Sequence, residues 1–159
     1  MLDRTKVLTT AVALLTSVLV TLPTAQGQAN ANEIQTRIEA VNVMPSQALI
    51  ATAKQYIGIP YCRGGQTARC FDCSGFTKYV YKTQGINLPS TAQSQYRVAQ
   101  KIPASEAVPG DLVFFYYRGN LVYHVGIYMG NGKVLHSPRR GAHVRIESIW
   151  TSRVKYGRI

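Results

Sequence analysis

Cys73 stands in the stretch FDCSGF, residues 71–76, between an acid and a Ser-Gly pair. Asp72 is a good helix N-cap type, so the stretch predicts a helix whose first turn holds the thiol. There, unpaired N–H groups and the helix dipole favour a negative sulfur, and the thiolate is the nucleophilic form of cysteine. Gly75 lets another backbone or a substrate come close where a side chain would obstruct it. A nucleophile also needs a base, and the chain has three histidines, His124, His136 and His143. One imidazole beside the thiol and a second orienting the first would make an activated nucleophile. Taken singly, each residue has a plainer use: a small cysteine packs a helix end, and a lone strand histidine serves structure.

These side chains need elements to hold them. Ile34, Ile38 and Val41 have helical spacing, which predicts a short helix over 33–42 ending before Pro45. Ser46 can cap a second, through Ala48, Leu49, Ala53 and Tyr56 to a stop at Gly58. Residues 59–71 read as loop. The helix capped by Asp72 carries Phe76 and Val80 on one face and ends at Gly85, and Ser90 caps another over 91–100. After Pro103 the pattern turns strand-like at 112–117, 121–129, 133–137, 143–147 and 154–158. Helices followed by a run of antiparallel strands give an α+β fold. For one histidine to orient the other, His124 and His136 must share a sheet face, and strand side chains alternate. A three-residue loop, Gly130-Asn131-Gly132, would pair 129 with 133 and 126 with 136 and meet that condition; a two-residue Asn131-Gly132 turn pairing 130 with 133 would not.

The N-terminus reads as a targeting segment. Asp3, Arg4 and Lys6 precede an apolar run from Val7 to Leu22, and Ala29-Asn30-Ala31 fits a cleavage site, so residues 1–31 are expected to be a signal peptide. A membrane anchor is the alternative, the run being a little short of a span. Residues 32–45 form a lead segment and 46–159 one domain with its own core. The net charge is +11, nearly all of it beyond the leader, which attracts polyanions. The bases are scattered, with one Arg139-Arg140 pair and no nucleic-acid motif, so an anionic cell wall is a better expected partner than nucleic acid. Cys62, Cys70 and Cys73 lack the spacing of a metal site, and no metal or cofactor is expected. An oxidising compartment should pair two of them. The expected bridge is Cys62–Cys70, which closes a short Gly-containing loop and leaves Cys73 free.

Five segments, IPYCRGG (59–65), DCSGF (72–76), PGDLVFF (109–115), HVGIYMGNGKVLH (124–136) and the terminal KYGRI, together resemble the NlpC family of cell-wall cysteine peptidases. The resemblance covers 46–159. It implies a papain-like core, with N-terminal helices packed on an antiparallel sheet of about five strands. On these positions Cys73 matches the nucleophile, His124 the base and His136 the polar residue that orients it. Tyr61 and Ser74 become candidates for oxyanion or substrate contacts, and the Cys73 N–H is an oxyanion donor by position. The implied function is a secreted peptidoglycan hydrolase cutting stem peptides as a D,L-endopeptidase, between D-glutamate and the diamino acid. An amidase, a toxin aimed at a rival's wall and a non-catalytic wall-binding module are alternatives on the same scaffold. Cys62 departs from the family pattern, and a Cys62–Cys73 bridge would block the nucleophile until reduced.

Overall fold

The computed structural model of the protein describes residues 25–159. The apolar run of the expected signal segment therefore lies outside the described residues, while Ala29-Asn30-Ala31 falls within helix α1 (Ala25–Lys54). This helix begins in a unit that ends at Thr36 and finishes in a second unit, Arg37–Ile159, which holds all the other elements. Two helices meeting at Pro45 are expected, and the backbone makes one. Proline removes one bond from the ladder, at about 3 kcal/mol, but the Ala, Leu, Gln and Glu residues on both sides are strong helix formers and continue it. Among the described residues no helix is long and apolar enough to cross a membrane. The C-terminal turns of α1 bury Leu49 and Ala53, and Gly58 closes the exit at φ 92°.

Residues 59–71 are not simply loop. They form a small hairpin, β1 (Gln66–Thr67) and β2 (Cys70–Phe71), with a Cys62–Cys70 disulfide at Cα–Cα 5.5 Å. By chain entropy a loop this short contributes about 2–3 kcal/mol. Asp72 then caps α2 (Cys73–Lys82), its carboxylate accepting the Gly75 N–H at 2.6 Å. Phe76 and Val80 are buried, as their spacing predicts. Helix α3 (Ala92–Val98) starts one residue later than expected, because Thr91 and not Ser90 accepts the Ser94 N–H. The Ser90 carbonyl instead receives the Ser74 hydroxyl. Helix α3 also stops early, and Gln100–Ile102 becomes strand β3.

Strand β3 is the edge of a six-stranded antiparallel sheet, where five strands are expected. The others are β4 (Leu112–Tyr116), β5 (Val122–Gly130), β6 (Lys133–His136), β7 (Arg145–Ser148) and β8 (Val154–Arg158), in the order β3-β8-β4-β5-β6-β7. Alternation along the strands sends Leu112, Phe114, Val125, Ile127 and Leu135 to the core shared with α1, α2 and α3. Val113, Phe115 and Val134 form a second cluster with Ile149, Val154 and Tyr156. Arg158 fastens the last strand, its Nε and Nη2 each 2.9 Å from an oxygen of the buried Asp111 carboxylate.

The β5–β6 hairpin corrects the expected turn. Gly130 pairs with Lys133 across a two-residue Asn131-Gly132 turn, both residues with positive φ (50° and 67°), as a type I′ turn requires. The register then shifts between Tyr128 and Gly130, so that Ile127 faces Leu135. The bulge supplies the extra residue that the longer loop would have supplied. It brings 126 opposite 136, which is the register the shared histidine face needs.

Gln95 is fully buried between α2 and α3. Its amide donates to the carbonyls of Ser74 and Pro89, both at 2.9 Å, and accepts the Thr77 hydroxyl at 2.7 Å. Gln95→Leu keeps the bulk and orphans these groups. It is expected to lower unfolding stability by about 2 kcal/mol, read as a reduced urea midpoint. Gly75→Ala should do worse, since a Cβ there would collide with the Gly65 carbonyl; circular dichroism should find it largely unfolded or strongly shifted in midpoint.

Candidate active site

Three elements build the site. Helix α2 presents Cys73 in its first turn, β5 presents His124 and β6 presents His136. All three side chains line one cavity of about 360 Å³, together with Tyr61. His124 Nε2 lies 2.7 Å from His136 Nδ1. That bond leaves Nδ1 as the other nitrogen of His124. The sulfur of Cys73 is reached by the backbone N–H of Val125, the neighbour of His124 on β5. Gly126 gives His136 its room, because a Cβ at 126 would press on the Val134 side chain and the His136 Cβ.

Cys73 is the free cysteine of the described residues, and the Cys62–Cys70 pairing excludes the bridge that would block it. The surroundings of the sulfur pull its pKa both ways. Burial pushes the Cys73 pKa up, with the nearby Asp72 charge adding to it, and the N–H groups of Val125, Ser74 and Cys73 itself pull down by less. Burial thus opposes the anion that the helix start favours. Burial and the neighbouring imidazole likewise bring His124 down, to about 3. His136 is also lowered by burial, against the opposing pull of Glu147.

Other expected residues divide. Tyr61 joins the cavity, and burial is the main cause that raises its pKa. Ser74 does not line the cavity: it is 5% exposed, and its hydroxyl is placed to donate to Asp72 or to the Ser90 carbonyl, 3.0 Å from each. Its role is to brace the helix start. His143 is exposed and lies outside the cavity, tied to Pro60 through a backbone bridge. Among the described residues no three His, Cys, Asp or Glu side chains converge as a metal site would need.

Several cavity residues escaped the sequence reading. Trp150 stacks on Phe115 with centroids 4.2 Å apart and stands 5.9 Å from the His124 ring and 5.4 Å from that of His136. Its ring thus lies close to both histidines. Arg139 and Arg145 bring positive charge to the wall, and Glu147 is 2.8 Å from His136 Nε2. A single tryptophan is a composition signal, but its distance from the histidines along the chain gave no reason to place it there. Arg145 and Glu147 lie on β7, which begins two residues later than the strand pattern predicts.

Similarities to known proteins agree with this geometry. The chain is 50% identical over 94 residues to a probable endopeptidase p60 of Listeria innocua, covering 59% of this chain and 20% of that protein. It is 37% identical over 103 residues to a gamma-D-glutamyl-L-lysine dipeptidyl-peptidase of Bacillus subtilis, covering 64% of this chain and 35% of the relative. The chain thus spans only a fifth to a third of these relatives. The solved NlpC/p60 domain of the peptidoglycan hydrolase SagA superposes with a TM-score of 0.66 at 37% identity, over 72% of this chain and 98% of that domain. Residues 58–157 match the NlpC/P60 family, and the chain belongs to that family.

Proposed function

We propose that this domain hydrolyses peptidoglycan stem peptides as a D,L-endopeptidase, at the bond between D-glutamate and the diamino acid. The observation that carries the reading is the meeting of Cys73, His124 and His136 around one cavity, with the two imidazoles 2.7 Å apart. His124 Nδ1 takes the proton from Cys73 as the sulfur attacks the carbonyl carbon, and His136 holds the ring in place. The N–H of Cys73 and the Tyr61 hydroxyl stabilise the oxyanion. The proton then passes to the leaving amine, which departs as the acyl-enzyme forms, and water releases the acyl group. A wall carrying Arg139 and Arg145 favours a substrate rich in carboxylates, as stem peptides are. The name of the Bacillus relative, a gamma-D-glutamyl-L-lysine peptidase, supports the choice of bond. Export through residues 1–31 to the cell wall belongs to the same reading, and the Cys62–Cys70 bridge fits an oxidising compartment.

Digestion of purified peptidoglycan followed by mass analysis of the fragments tests the bond. Free N-terminal diamino-acid peptides are expected, whereas intact stem peptides cut from the glycan would mean an amidase. Cys73→Ala should remove hydrolysis altogether, and a retained rate would place the activity at another site. His124→Ala should lower kcat by about 10³-fold or more.

The directions of the Cys73 and His124 shifts make a second prediction. Because the Cys73 pKa is raised, iodoacetamide should alkylate it slowly at neutral pH and faster only through the alkaline range. Because the His124 pKa is lowered, the base stays unprotonated below the ordinary imidazole range, and kcat/KM should hold as pH falls through about 6.5. Rapid alkylation at pH 5 would instead indicate a resting thiolate–imidazolium pair.

A further inference from the structure

His136 is held on both sides. Its Nδ1 meets His124, and its Nε2 lies 2.8 Å from Glu147 Oε2. The other oxygen of Glu147 is 2.7 Å from Arg145 Nε and 2.7 Å from Arg145 Nη2. A guanidinium can only donate and an ionised carboxylate can only accept. Burial pushes Glu147 up, but the bonds from Arg145 and His136 outweigh it and keep the group ionised. His136 Nε2 must therefore carry the hydrogen of that bond. A neutral imidazole has one N–H, so His136 Nδ1 is an acceptor. His124 Nε2 must then donate to it, and His124 Nδ1 is left bare.

We propose that Glu147 is a positioning residue of this site: it sets the tautomers of both histidines in series, so that His124 offers Cys73 an unprotonated Nδ1. This rests on the Cys73–His124–His136 reading for its effect on rate, but not for its effect on tautomers. When Nδ1 takes the thiol proton, His124 becomes an imidazolium and its Nε2–H goes on donating to His136. No hydrogen moves along the relay, and the negative carboxylate stands at its far end. With the opposite polarity, His136 Nδ1–H would donate to His124 Nε2, and His124 Nδ1 would carry a hydrogen where the base should be.

Glu147→Gln tests the polarity without changing shape. Arg145, a pure donor, claims the amide oxygen and turns the NH₂ toward His136 Nε2, which must then accept. The relay reverses. Glu147→Gln is therefore expected to be worse than Glu147→Ala, which removes the director without imposing the wrong one. A wrong tautomer in a serine-protease triad lowers kcat on the order of 10⁴-fold. The expectation here is a fall in kcat of about 10²–10⁴-fold for Glu147→Gln and about 10-fold for Glu147→Ala. Adding Arg145→Ala to Glu147→Gln frees the amide to turn and should recover kcat at least tenfold. Nitrogen-15 NMR of histidine-labelled protein reads the tautomers directly, with both His124 and His136 protonated on Nε2 in the unaltered protein and both on Nδ1 in Glu147→Gln. Wild-type kcat in Glu147→Gln, an Nδ1–H on either histidine of the unaltered protein, or unchanged tautomers in Glu147→Gln would each overturn the proposal. If Cys73→Ala kept its hydrolysis, the peptidase reading would fall, while the NMR result would still decide the role of Glu147.

Discussion

The Asp72 carboxylate ties together everything on the nucleophile's side of the cavity. One oxygen accepts the Gly75 N–H at 2.6 Å and lies 3.0 Å from the Ser74 hydroxyl; the other accepts the Gly64 N–H at 3.0 Å. A single side chain thus caps α2 and binds the disulfide-closed loop to its first turn. The Asp72 N–H adds a return bond to the Gly65 carbonyl, at 2.9 Å. Gly75 lacks a side chain where helix and loop touch backbone to backbone, and a Cβ at Gly65 would strike the Cys62 sulfur and the Cys70 carbonyl. This arrangement fixes the helix start that carries Cys73. The bridge limits how far the loop can relax in the unfolded chain, and the cap decides where the helix starts.

Position at a helix start does not by itself ionise a thiol. Amides and the helix dipole favour the anion, yet burial and the Asp72 charge oppose it and prevail at Cys73. Across the cavity, burial likewise disfavours the charged form of His124, with Phe115 and Trp150 packed near its ring. Charge that develops as the proton crosses is sensitive to the few dipoles aimed at it.

The sheet supplies the histidine side, and its register is set locally. The Asn131-Gly132 turn matches the right-handed twist of β5 and β6, and the bulge beside Gly130 shifts the pairing by one residue. Without that shift, His124 and His136 would lie on opposite faces, since a one-residue slip reverses every side chain. Strand β7 extends the same face, its Arg145 paired with His136. Further along the sheet, the paired Asp111 and Arg158 join the start of β4 to the end of β8.

Local signals in the chain determined the α+β order, the Asp72 cap and the buried face of α2, and they singled out Cys62, Cys70, Cys73, His124 and His136 as candidates. Each of these depends on neighbours a few residues away, or on side-chain types scarce enough to stand out. The continuous helix through Pro45, the switch of Gln100–Ile102 from helix to strand and the two-residue turn with its bulge depended on how neighbouring segments continue or pair. Tertiary packing alone decided the charge states, the removal of Ser74 from the cavity and the arrival of Trp150, Arg145 and Glu147. Desolvation and hydrogen-bond polarity are set by what surrounds a group in space, and no spacing along the chain encodes them.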